Sequence, residues 1–415
     1  MEPDLSPLDD YLDEAGLDGY LVDADSSDST QRYLSGFDAP DPFVTLYAPE
    51  TTALLVSALE YGRANRQSRA DDVSRLADYD YRSLAAEHGP RAAKARVVAA
   101  WLDDLDVDGV ATPERFPLGP ADRLRERELT VMSETEDVVT EVRARKTTEE
   151  IEHIRAAQRA NEAAMDAAAD LLREAEIVEA DGAGEGDGDS RSEGDGGDAG
   201  LDGGRVLSVD GDVLTSERVR EEIEVTLLRH GCALDETIVA CGADAADPHD
   251  RGSGALRPEE PIIVDIFPRS KETKYHADMT RTFVKGEPTD TLREWFDLTH
   301  EALDAAREAI EPGVTGAAVH DIVCDVYEDA GLPTLRSDPK SETGFIHSTG
   351  HGVGLDVHEL PRLSPDGDEL RPGHVVTVEP GLYDPDVGGV RIEDLVVVTE
   401  DGSENLTDQP VELRI

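Results

Sequence analysis

Acidic side chains in the middle of apolar runs are the first feature of this chain that calls for a chemical explanation. Asp265 lies inside PIIVDIF (Pro261–Phe267), a short β-branched run that reads as a buried strand. An ionised carboxylate there is costly unless it is paired or bound to a metal. Asp278 follows in YHADMTRTF, ahead of Thr280, Arg281 and Thr282, in a second strand-like stretch. A hairpin of the two runs brings both acids to one point, although a pairing of Asp with Arg281 explains them as well as a metal does. Glu379 ends the apolar stretch of VVTVEPGLY at a Pro-Gly turn, and Glu393 sits inside GGVRIEDLVVV beside Arg391. A buried Arg391–Glu393 ion pair is the plain structural alternative for that last acid.

Histidines gather in one place as well. FIHSTGHGVGLDVHELP holds His347, His351 and His358, three of the chain's eleven histidines within one short segment. Glycines 350, 352 and 354 between them let backbone approach a site closely. Upstream, His249 stands in ADPHDRG, where an ordinary loop histidine is the competing reading. Four strand-borne carboxylates and a histidine make an oxygen-rich donor set with one nitrogen. Such a set suits Mn²⁺, Co²⁺, Fe²⁺ or Zn²⁺, and it is too rich in carboxylate for a single ion, so two are implied.

These residues all fall in the second part of the chain, and the pattern of elements divides there. From Leu5 to about Met132 short helices and strands alternate in an α/β pattern: a helix near Leu8–Ala15, strands at Gly19–Val22, Val44–Tyr47 and Ala53–Val56, and a helix at Arg91–Leu105. The expected division is an N-terminal α/β domain over 1–132 and a second domain over 133–415. A Thr-Thr-Glu-Glu run from Thr147 looks like a helix start, with a hydroxyl cap and acid in the first turn. Within the second domain EAAMDAAADLL (Glu162–Leu172) resembles EALDAAREAI (Glu301–Ile310), and a further helix follows each, so the domain reads as an α+β duplication. Residues 179–204 form a Gly/Asp/Glu tract with almost nothing to bury; it is read as a disordered insertion in the turn between the first helix pair.

Composition excludes several classes. Acids outnumber bases 93 to 39, a net charge of −54, which repels nucleic acid and anionic membrane surfaces. The excess points to a cytoplasm rich in salt, where screening relieves self-repulsion. Three scattered cysteines, Cys232, Cys241 and Cys324, do not make a disulfide framework and fit a reducing compartment. No 18-residue apolar stretch is present, so neither export nor a membrane span is expected.

The order Asp265, Asp278, His351, Glu379, Glu393 with these surroundings resembles the pita-bread metallopeptidase family, which includes Xaa-Pro aminopeptidases, Xaa-Pro dipeptidases and methionine aminopeptidases. The likeness covers about residues 140–415, and RYLSGFDAPDP (Arg32–Pro42) is similar to a motif of the two-domain members. The creatinase branch shares the fold without the metals, and the intact carboxylates set this chain apart from it. The resemblance implies a C-terminal duplicated pita-bread domain preceded by a smaller creatinase-like domain. It implies two divalent ions, Mn²⁺ or Co²⁺ foremost, with Asp265 on one ion through both oxygens, Asp278 and Glu393 bridging, and His351 and Glu379 completing the other shell. A shared water, made acidic by both ions, would supply the hydroxide that attacks the scissile carbonyl. Glu379 would shuttle the proton, His358 would hold the scissile amide or its oxyanion, His249 would line the same pocket, His347 would contact substrate, and Arg391 would steady Glu393 and Asp278.

The substrate implied is a short peptide cut at an Xaa-Pro bond, by a homodimer whose N-terminal domain caps the partner's pocket. Two other readings are a metal-dependent peptidase or amidase of this fold without proline preference, and a non-catalytic binding protein that keeps the fold. The stretch DIFPRSKETKYHAD joining Asp265 to Asp278 is longer than the family's usual hairpin and has Lys274 where Gly is common.

Overall fold

The computed structural model of the chain describes residues 3–49, 51–179 and 204–415. Two compact units divide it, one ending at Arg143 and one beginning at Ala144. The division falls later than the expected one at Met132, because the backbone continues its pairing past the last strand: Glu134 N donates to Thr112 O at 2.8 Å, and Val139 and Val142 are buried.

The first unit is a mixed six-stranded sheet in the order Asp72–Arg75, Thr51–Val56, Phe43–Ala48, Gly19–Ala24, Gly109–Thr112, Thr130–Ser133. The strand Gly19–Ala24 runs antiparallel to Phe43–Ala48 and parallel to Gly109–Thr112. Helix Pro90–Asp104 covers one face, burying Val97, Val98, Trp101 and Leu102 against Leu21, Val44 and Leu46.

In the second unit a helix pair lies on an antiparallel sheet, twice over. Helix Thr148–Glu174 opens with the expected capping box: Thr147 Oγ1 accepts from Glu150 N, and Glu150 Oε2 accepts from Thr147 N at 2.7 Å. Its alanine-rich face and helix Ser216–Arg229 pack on strands Thr237–Cys241, Ile262–Ile266 and Met279–Phe283. In the second copy, helices Asp290–Ala309 and Gly316–Asp329 pack on a five-stranded sheet that includes Val375–Val378 and Asp394–Val398. A separate hairpin, Gly381–Asp384 with Gly388–Arg391, completes this half.

One expectation needs correcting. The first helix pair is not joined by a simple turn: Glu176–Glu179 pairs with Arg205–Val209, which pairs with Asp212–Val213. Ile177 faces Leu207 across this small sheet, and runs this short do not stand out beside so polar a tract. Apart from Glu179 and Gly204, which flank it, the acidic Gly-rich tract over 179–204 lies outside the described residues.

Buried hydrogen bonds between Met279–Phe283 and the chain at 391–394 join the two copies. Glu393 N donates to Thr280 O at 3.0 Å, and Thr282 Oγ1 donates to Arg391 O at 2.8 Å. Arg281, almost fully buried, donates to Asp394 Oδ1 at 2.9 Å and to Glu393 O at 2.7 Å.

Candidate metal centre

Strand alternation decides which side chains face the seam between the copies. Asp265 is directly opposite Thr280, so the two share a face; Asp278 and Thr282, two residues to either side of Thr280, share it too. Arg281 points the other way, to Asp394, which removes it as a partner for Asp265 or Asp278. On the adjoining stretch Arg391 and Glu393 have the same parity and turn back toward Thr280. Thr377 and Glu379 do the same from the second sheet, where Thr377 Oγ1 donates to Glu379 Oε1 at 3.3 Å.

His351 enters from the edge of that sheet. A Cβ at Gly350 would collide with the Thr377 carbonyl, and one at Gly352 with the Leu360 carbonyl, so the histidine's neighbours must be glycine for it to sit this close. Its Nδ1 lies 3.1 Å from Gly352 O, which can only accept, so Nδ1 carries the proton. The lone pair of Nε2 then faces carboxylate oxygens, Glu379 Oε1 at 3.5 Å and Asp278 Oδ2 at 3.7 Å. Burial, with His358 close by, pushes the imidazole down to about 3, so protonation of Nε2 does not relieve this opposition near neutral pH.

The acids respond in the opposite direction. Burial, then the charges of Glu393, Asp265 and Glu379, raise Asp278 well above the usual carboxylate range. Glu393 is raised by burial and then by Glu379 and Asp265, and burial pushes Glu379 up to about 8 although Arg391 opposes it. Atoms of Asp278, His351 and Glu393 lie within 4.8 Å of one another, spacing at which a cation can be held. Asp265 stands beside this trio with Oδ1 buried and, among the described residues, without a hydrogen-bond partner. Converging lone pairs, carboxylates that resist ionisation and an orphaned carboxylate oxygen all fit divalent cations, with oxygen donors predominating.

Arg391 makes no ion pair with Glu393 among the described residues; its Nη2 donates to Asp265 Oδ2 at 2.7 Å, its hydrogen bonds reach Glu393 through Thr280, and its charge opposes the rise that burial causes in the Glu393 and Asp278 carboxyls. Its Nε donates to Thr280 Oγ1 at 3.2 Å, and that hydroxyl donates to Glu393 Oε2 at 2.8 Å. Its Nη1 donates to Tyr383 Oη at 2.9 Å. Tyr383 in turn lies 3.0 Å from His347 Nε2, while His347 Nδ1 is 2.7 Å from Ser348 O. Since a carbonyl only accepts, Nδ1–H is the donor there, and Nε2 accepts from the tyrosine. Both ring nitrogens of His347 are therefore engaged, which fixes the orientation of its ring.

The ring of His358 packs edge-on to that of His351, centroids 4.2 Å apart. Burial and then His249 lower its pKa, and His249 lowers that of His347 too, so His249 does lie near both histidines. Three supporting residues were missed by the sequence reading. Tyr383 carried a signal, being close in sequence to Glu379 in an apolar strand. Lys146 and Glu359 carried none: their ion pair of 3.0 Å is almost wholly buried, and Glu359 Oε1 accepts from Asp356 N at 2.9 Å, bracing the loop that ends at His358.

Residues 152–400 match the model of metallopeptidase family M24, well over half of the chain. The chain belongs to this family. Residues 5–144 match the creatinase/prolidase N-terminal domain. Among relatives, an Xaa-Pro dipeptidase of Pyrococcus furiosus is 36% identical over 214 residues, 50% of this chain and 59% of that protein. A probable dipeptidase PepE of Mycobacterium tuberculosis is 41% identical over 178 residues, 42% of this chain and 45% of that protein. The matched stretch thus spans only about half the length of these relatives. The prolidase from Pyrococcus horikoshii superposes with a TM-score of 0.74 at 25% identity, over 99% of each chain. An Xaa-Pro dipeptidase from Bacillus anthracis gives 0.78 at 24% identity, over 99% of each chain, a likeness of fold. Among the described residues no helix is long and apolar enough to cross a membrane.

Proposed function

We propose that this M24 chain hydrolyses short peptides at Xaa-Pro bonds, with two divalent ions held by Asp265, Asp278, His351, Glu379 and Glu393. The observation that carries the reading is the buried Oδ1 of Asp265, without a hydrogen-bond partner among the described residues, beside three acids that resist ionisation, an arrangement that bound cations would stabilise. The oxygen-rich donors favour Mn²⁺ or Co²⁺ over a thiolate-seeking ion. When bound, such ions polarise a carbonyl and make water acidic enough to supply hydroxide near neutral pH.

The chain's own groups do the rest. Glu379, ionised once cations are bound, takes the proton released at attack and returns it to the leaving nitrogen. His358, kept neutral by burial, has an N–H to donate to the scissile carbonyl or its oxyanion. Arg391 fixes Asp265 directly and Glu393 through Thr280, so the donors are in place before substrate arrives. A prolyl nitrogen carries no N–H, so its bond calls for a shaped pocket of its own. The named activity of the dipeptidases and prolidases similar to this chain supports the proline reading. A homodimer in a salt-rich cytoplasm is the setting we assign to it.

The test is turnover by the Mn²⁺-loaded chain of Xaa-Pro dipeptides, Xaa-Pro-Xaa tripeptides and non-prolyl dipeptides. Cleavage confined to prolyl bonds supports the reading. Equal cleavage of the controls transfers it to a broad peptidase of the same fold, and metal binding with no cleavage to a binding protein.

A further inference from the structure

The first unit contains a cavity of about 460 Å³ that has no part in the metal centre, and its lining is drawn wholly from that unit. A volume of roughly 300–1,000 Å³ is usual for small-molecule sites. Its lining includes the apolar Leu21, Val44, Val98, Phe116 and Leu124 together with Arg91, Lys94, Arg123 and a single acid, Asp23. Lys94 is already neutralised, its Nζ 2.6 Å from Asp23 Oδ1. Neither Arg91 nor Arg123 has a side-chain ion pair or hydrogen bond among the described residues. In a chain with 93 acids to 39 bases, two arginines without a carboxylate on one cavity are against the run of the composition.

The backbone adds to the same polarity. Pro90 and Arg91 open helix Pro90–Asp104, and Gly119 and Pro120 lie in the first turn of helix Leu118–Arg125. Neither helix start has a side-chain cap, and Pro90 and Pro120 bring no N–H, so what the two starts add beside the cavity is the positive end of the helix dipole. An apolar lining that also carries unpaired positive charge selects one kind of ligand.

We infer that this cavity is a binding site for a small organic anion with an apolar body, such as a medium-chain or aromatic carboxylate. Its carboxylate meets Arg91 and Arg123, and its hydrocarbon part lies on Val98 and Phe116. The net charge of −54 repels anions elsewhere on the molecule, so an anion that binds does so at a local exception.

The experiment is calorimetric titration of the full metal-loaded chain with octanoate, with octylammonium as the cation of equal length. Octanoate is expected to bind at one site per chain and octylammonium not to bind. The R91S/R123S variant should weaken octanoate at least tenfold with its melting temperature unchanged, and R91K/R123K should keep most of the binding. The D278N variant separates this site from carboxylate capture at the metal centre. Binding lost in D278N but kept in R91S/R123S overturns the inference, as does equal binding of both probes, or none of octanoate.

Discussion

Arg391 holds Asp265 by one oxygen: Nη2 donates to Oδ2 at 2.7 Å, and Oδ1 is left buried and without a partner among the described residues. A carboxylate fixed in this way is a donor already aimed. Lysine at position 391 keeps the charge but loses the planar fork that also reaches Thr280 and Tyr383. Arg391→Lys should weaken metal binding by about 10–100-fold, the usual effect of removing a support behind a ligand. Competition with a chelator measures it; an unchanged affinity would show that Asp265 needs no such support.

The raised carboxylates make a pH prediction whose direction follows from proton counts. Glu379 titrates at about 8 in the metal-free fold, against 4.5 for the ordinary group. Between those values the folded chain binds more protons than the unfolded one, so metal-free stability falls as pH rises, and the share lost through Glu379 is complete above about 8. Asp278 and Glu393 shift the same way. His347, His351 and His358, all lowered, act oppositely only below their ordinary value of 6.5. Calorimetry from pH 7 to 9 should show the metal-free melting temperature falling and that of the Mn²⁺-loaded chain nearly level, since bound cations keep the acids ionised. Equal slopes would mean that the acids do not hold the metal.

Tyr383 joins Arg391 to His347, and Tyr383→Phe leaves a buried donor and a buried acceptor unmatched. The expected cost is about 1–3 kcal/mol of stability. Metal content should be retained while kcat/KM falls, because the ring of His347 loses its orientation. A variant with the stability and kinetics of the parent would remove the tyrosine from the account.

Much of the centre was legible because a carboxylate inside an apolar strand stands out. Asp265, Asp278, Glu379 and Glu393 each did so, and the structure brings them to one seam with His351. Pairings across that seam were not legible. Alternation tells which face Arg281 and Arg391 occupy, but not which strand lies opposite, and so Asp394 and Asp265 could not be named as their partners. The Lys146–Glu359 pair joins residues far apart in sequence, with no local pattern at either. The small sheet of Glu176–Glu179, Arg205–Val209 and Asp212–Val213 was hidden for another reason, its strands being too short to show a period.

The acid excess makes a separate prediction. At 0.1 M salt charges act over about 10 Å, and at 1 M over about 3 Å. With a net charge of −54, the melting temperature should climb by several degrees or more between 0.1 and 2 M KCl. A flat or falling curve would count against a salt-rich setting.

Counting ions tests the centre most directly. Elemental analysis of the Mn²⁺-loaded chain should find two ions per chain, and no more than one in Asp278→Asn or Glu393→Gln, with hydrolysis of an Xaa-Pro dipeptide lost alongside. Two ions retained in both variants, or fewer than two in the parent chain while it cleaves the dipeptide at full rate, would contradict the account.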